Sequence, residues 1–154
     1  MTASDKKTLR STGRNISLLY RKAQAFLNSE LRPYDLSSSE YIHIINIRDK
    51  ESVRQKHLSE KLFIDNGLTT RCIQSLEKKG YIRRESDAKD GRALQISLTA
   101  KGVAVKPIII GKLEKWAGIL TAGMKTDEIA LFNRLTESMV ENISLYNSRT
   151  LKKG

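Results

Sequence analysis

Apolar residues recur at three- and four-residue intervals along most of the chain, the period of one helical face. The first such stripe is Ile16, Leu19, Tyr20, Ala23, Phe26, Leu27 and Leu31, and it stops at Pro33. Proline has no N–H to donate and its ring clashes with the preceding turn, so the spacing predicts a helix ending there. A strong start signal follows. Ser37 is placed to cap, Glu40 three residues on to close a capping box, and Leu36 to staple against Tyr41, predicting a second helix from about Ser38 to Arg48.

Two helices then come in quick succession. Gln55 to Leu62 is short and amphipathic, with Leu58 and Leu62 one turn apart, and residues 63–67 read as a tight turn. The next helix puts Thr69, Cys72, Ile73 and Leu76 on one face and Thr70, Arg71, Gln74 and Lys78 on the other, with Gly80 as its stop. After Gly80 the period falls to two. Residues 81–85 and 93–98 flank a polar loop containing Asp90-Gly91, and Leu94, Ile96 and Leu98 alternate with Ala93, Gln95 and Ser97, predicting a hairpin with one buried face.

Thr99 caps a further helix carrying Ile109, Leu113, Trp116 and Leu120, which Pro107 is expected to bend or to delay. Glycines around Ala122, with Lys125, close it. A last helix opens at Thr126, with Asp127 and Glu128 at its positive end, and carries Phe132, Leu135, Met139, Ile143 and Tyr146, the tail from Arg149 being expected to fray. The expected fold class is mainly α with a small β-hairpin wing: a winged helix-turn-helix core at 36–102, an N-terminal dimerisation helix at 1–35 and C-terminal dimerisation helices at 103–154.

Composition narrows the function. With 154 residues, 39% of them hydrophobic and 29% charged, the chain can build one core with arms. Lys and Arg number 28 against 17 acidic residues, a net charge of +11 that attracts polyanions at long range. A single cysteine excludes an intrachain disulfide, and no apolar run reaches the roughly 20 residues a bilayer demands, so a cytoplasmic protein without membrane contact is expected. There is no glycine-rich phosphate loop, paired-histidine helix or nucleophile elbow, so neither enzymatic activity nor a cofactor is expected. His43, His57 and Cys72 lack ligand spacing, so no metal is expected either. Cys72 falls on the buried helix face, which favours a packed thiol over an oxidant sensor.

The order helix, turn, helix, hairpin narrows the field further. The segments Leu58 to Arg71, Leu76-Glu77-Lys78-Lys79-Gly80-Tyr81-Ile82 with Arg84, Asp87-Ala88-Lys89-Asp90-Gly91-Arg92 and Leu98-Thr99-Ala100-Lys101-Gly102 resemble the MarR family of transcription regulators. The wing pattern is the specific part: two aspartates three apart, an arginine two after the second, then Leu-Thr and a glycine. The chain departs from the family at Phe63, where glycine is frequent, at Gly67 near the start of the recognition helix, and at Gly91, where a second wing arginine is frequent. The resemblance implies a sequence-specific regulator, in most cases a repressor, that binds double-stranded DNA as a homodimer and responds to a small aromatic effector. Tyr20, Tyr34, His43 and Trp116 could line an effector cavity, but the reading as ordinary core or interface residues is preferred and none is taken as a site residue.

On the recognition helix, Asn66, Leu68, Thr70, Arg71 and Gln74 hold the leading or outward positions. The Arg71 fork suits guanine O6 and N7, Gln74 suits adenine, and Leu68 or the Thr70 methyl suits a thymine methyl. On an anonymous helix Arg71 and Gln74 would merely be solvated. The resemblance assigns Arg92 to the minor groove with Lys89 on phosphate. Asp90 in so basic a hairpin would repel phosphate unless paired, so it either orients Arg92 or Arg84, supporting the wing, or serves as a simple turn residue. The rival reading is a winged-helix module whose basic surface meets an acidic protein or RNA.

Overall fold

The first helix starts well before its apolar stripe, because a capping box holds it. In a computed structural model describing residues 2–87 and 93–151, the Thr2 hydroxyl accepts from the Asp5 N–H while the Asp5 carboxylate accepts from the Thr2 N–H. Helix α1 therefore spans Ala3–Leu31 and passes into a short 3₁₀ turn, Arg32–Tyr34. The expected second helix is shorter than its signal: α2 covers only Tyr41–Ile45. Glu40 does reach back to the Ser37 N–H at 2.9 Å, but the Ser37 hydroxyl bonds the same carboxylate instead of a backbone N–H, so the box is half formed.

Strand β1, Ser52–Arg54, follows, then α3, Gln55–Leu62, and α4, Asn66–Lys78. The α4 helix begins inside the expected turn because Asp65 caps it, its carboxylate accepting from Gly67 and Leu68 N–H at 2.8 and 3.1 Å. Its end is a Schellman closure: Gly80 at φ +76, with Tyr81 N–H on the Leu76 carbonyl and Gly80 N–H on that of Glu77. Strands β2, Ile82–Ser86, and β3, Leu94–Leu98, pair antiparallel with Arg84 opposite Ile96. The expected hairpin is thus present, and β1 adds an unexpected third strand against β3, Val53 opposite Ile96. Three residues between polar loops carry too little alternation to read as a strand.

Helix α5, Ala100–Leu120, runs on through Pro107 from its first turn, so the expected delay does not occur. Thr99 caps it as expected, accepting from the Gly102 N–H at 3.1 Å, and donates its hydroxyl to the Gly80 carbonyl. Helix α6 spans Thr126–Leu151, holding helical backbone past the expected fraying point at Arg149. Two compact units result, Met1–Trp116 and Ala117–Gly154. No helix among the described residues is long and apolar enough to cross a membrane.

In the first unit Leu27, Leu31, Ile44, Leu58, Ile73, Leu76, Ile82, Ile96 and Ile109 are buried together. Helix α1 as far as Tyr20 shares in none of this: Leu9, Ile16, Leu19 and Tyr20 are exposed. In the second unit the α6 stripe of Phe132, Leu135, Met139, Ile143 and Tyr146 is exposed as well. The chain passes close behind the start of α5. A Cβ on Gly102 would lie 2.1 Å from the Tyr81 carbonyl oxygen and 3.1 Å from a Leu98 methyl. Gly102→Ala is therefore expected to destabilise the fold by roughly 1–3 kcal/mol, read as a lowered urea midpoint.

His43 lies fully buried, its Nδ1 on the Ser39 carbonyl and its Nε2 without a partner among the described residues. Burial pulls its imidazole below the ordinary 6.5, against the opposing pull of the Ser39 carbonyl. The unfolded chain then takes up this proton first as pH falls, so the stability it contributes is complete above 6.5 and is lost below. Urea unfolding followed from about pH 8 to about pH 5 should show that decline, and His43→Leu should flatten it.

Candidate nucleic-acid interface

The exposed face of α4 exists because the opposite face is committed to the core. Thr69, Cys72, Ile73 and Leu76 are all buried, and burial pushes the Cys72 thiol above its ordinary value, the state of a packed rather than a reactive group. On the outer side Arg71 and Gln74 are exposed, and neither side chain bonds or pairs with any described residue. Leu68, a turn before them, is 37% exposed, and Lys78 continues the same face one turn beyond Gln74.

The other two expected readers are engaged. The Asn66 carboxamide oxygen accepts from the Ser59 hydroxyl at 2.6 Å. The Thr70 hydroxyl donates to the Asn66 carbonyl at 2.8 Å and accepts from Gln55 Nε2 at 2.9 Å. These bonds staple α3 to α4 across the turn. That turn holds Phe63 at φ +53 with 81% of it exposed, which accounts for the frequency of glycine there in the resembling family.

The far end of α4 is fixed by a buried carboxylate. Glu40, 5% exposed, accepts from Ser75 at 2.7 Å and from Lys79 at 2.8 and 3.0 Å, besides the two bonds from Ser37. Burial alone pushes this carboxyl up, but the bonds from Lys79, Ser75 and Ser37 outweigh it and hold it below its ordinary value. Tyr81 donates to the Tyr34 carbonyl at 2.6 Å, and Lys101 caps the Lys79 carbonyl at 2.7 Å with its ammonium over the Tyr81 ring.

The wing base is anchored twice. Arg84 on β2 turns to Glu77 of α4, Nε to Oε2 at 2.7 Å. Arg54 of β1 grips Asp87 through Nε at 3.1 Å and Nη2 at 2.9 Å, and Gln95 of β3 donates to the same oxygen. Lys89, Asp90 and Arg92 lie outside the described residues. Among the effector candidates, Trp116 lies against Phe26 with centroids 5.2 Å apart, Tyr20 is 63% exposed, and Tyr34 is half-buried. No cluster of three or more metal-ligating side chains occurs among the described residues.

A helix-turn-helix whose second helix is bare outside and bolted at both ends, joined to a three-stranded sheet, defines a winged helix-turn-helix protein. A family model described as the MarR family matches residues 36–94. The MarR transcriptional regulator from Methanosarcina mazei Go1 superposes with a TM-score of 0.81 at 31% identity, over 86% of this chain and 96% of that one. The chain belongs to the MarR family. It is also similar to the HTH-type transcriptional regulator SarZ of Staphylococcus aureus (strain USA300), 43% identical over 76 residues, 49% of this chain and 51% of that protein. The SarZ of Staphylococcus haemolyticus (strain JCSC1435) is 37% identical over 79 residues, 51% of this chain and 54% of the relative. The chain thus spans about half the length of the curated relatives it matches. A mutant MarR from E. coli, solved in complex with operator DNA, superposes with a TM-score of 0.76 at 25% identity, over 86% of this chain and 95% of that one.

The Arg54–Asp87 grip joins β1 to the foot of the hairpin, with the Asp87 side chain only 9% exposed. Removing the arginine takes two hydrogen bonds and an opposite charge from a largely buried carboxylate, so Arg54→Ala should cost about 1–3 kcal/mol in urea unfolding, and more than Arg48→Ala, whose ion pair with Glu51 is exposed.

Proposed function

We propose that the protein is a sequence-specific, double-stranded-DNA-binding transcription regulator that reads a pseudo-palindromic operator as a homodimer. The observation that carries this reading is the outer face of α4, where Arg71 and Gln74 are exposed beside Leu68 and bond no side chain among the described residues. An exposed arginine and glutamine on a helix held at both ends suit the major groove, where a guanidinium fork meets guanine and a carboxamide meets adenine. Asn66 and Thr70 belong to the reading surface through their position in its first turns, their polar groups already holding α3.

The other parts follow the family pattern. Arg92 enters the minor groove, Lys89 meets phosphate, and Arg84 and Asp90 support the wing. Residues 36–102 form the reading module, with the exposed apolar stripes of 1–35 and 103–154 covered by a second copy. The pair then carries about twice +11, or +22, in charge, so affinity falls steeply with salt. Repression relieved by a small aromatic effector, in the cytoplasm, completes the proposal.

A binding selection from a random-sequence duplex library tests it. The wild-type protein should enrich an inverted repeat with half-sites about one helical turn apart, and Arg71→Ala should erase the preference at one base pair per half-site, costing roughly 1–3 kcal/mol there. Enrichment of no duplex, with tight binding of RNA or an acidic protein, would overturn it.

A further inference from the structure

The two ends of α4 are held in different ways. Near its amino-terminal end, Ser59–Asn66 and Gln55–Thr70 tie it to α3, its neighbour in sequence. Near its carboxy-terminal end the ties run to Arg84 of β2, to Lys101 of α5 and to residues 34–40, which join α1 to α2. Glu40 is central there: one carboxylate collects Ser75 and Lys79 from the α4 end and Ser37 from its own turn, five bonds in all. Lys79 also approaches Asp35 at 3.7 Å, and Ser38 N–H is bound by Asn28 of α1 at 2.7 Å.

A helix fixed at one end only can pivot about that end. With the α3 staples as pivot, the Glu40 bonds act with Glu77–Arg84 to set where the other end points, and hence how Arg71, just past the Thr70 staple, and Gln74, a turn past it, aim. The carboxylate is buried and neutralises Lys79 at 2.8 Å, a role that Asp35, exposed and farther from the ammonium, is poorly placed to take over. We propose that Glu40 is a positioning residue for base reading: it sets the angle of α4 and so the aim of Arg71 and Gln74. This rests on the reading of α4 as the recognition helix.

The consequence is a separation of specific from non-specific binding. Phosphate contacts tolerate a small tilt of α4, because they need only charge near the backbone. Bidentate base contacts do not, because they need a fixed fork geometry. Full-length protein is therefore compared on two duplexes of equal length: the one that wild type selects from a random library, and a scrambled version of it. Fluorescence anisotropy at one salt concentration gives both affinities.

Glu40→Gln should weaken the selected duplex about tenfold or more and leave the scrambled one within about twofold, which is a specificity ratio reduced by the same factor. Ser75→Ala removes one of the five bonds and leaves the charge pair intact, so it should fold normally and show a smaller loss of the same kind. In an Arg71→Ala, Gln74→Ala background Glu40→Gln should have little further effect, because it acts through those two side chains. Equal weakening of both duplexes by Glu40→Gln and Ser75→Ala, or full additivity with the Arg71→Ala, Gln74→Ala pair, would refute the proposal. Wild type that selects no duplex would instead sink the DNA-reading assignment beneath it.

Discussion

Everything at the candidate interface depends on where one helix buries its apolar face. Thr69, Cys72, Ile73 and Leu76 commit the inner side of α4 to the core, and that commitment fixes which residues remain outside. The helix cannot roll to present others without exposing Ile73 and Leu76, each buried completely and each contributing about 1.5–3 kcal/mol by that burial. The polar ties add direction to what packing fixes in rotation.

Those ties share a design. Each is a short side-chain bond across a junction between elements: Ser59 to Asn66 over the turn, Glu77 to Arg84 from helix to wing, Arg54 to Asp87 from edge strand to hairpin, and Glu40 to Lys79 from the α2 entry to the α4 end. Three are charge-assisted, and the Glu40–Lys79 pair is also the best shielded from water, where such bonds are strongest. The sheet lends the same service through its backbone, since β1 covers the free edge of β3.

The helix order, the α3 limits, the hairpin and the Thr99 cap are legible in the sequence because each has a local signature of periodicity or capping. The start of α1 is not, since Ser4 to Arg14 carry almost no apolar stripe and only the Thr2–Asp5 box betrays the end. The length of α2 escapes as well, because a capping signal marks a beginning and says nothing about how far the helix runs. For the site, the exposed positions of Leu68, Arg71 and Gln74 follow from helical period alone. The engagement of Asn66 and Thr70, and the roles of Arg54 and Glu40, depend on partners 7, 15, 33 and 35–39 residues away, which no local pattern reveals.

Phe63 stands apart from this economy of ties. A benzyl side chain in the left-handed region, mostly in water, holds a strained backbone that the core does nothing to relieve. The turn between α3 and α4 is therefore one place, with Asp35 and Lys50, where the chain still has stability to gain. Breeding for heat tolerance would find slack at the turn while leaving the outer face of α4 untouched.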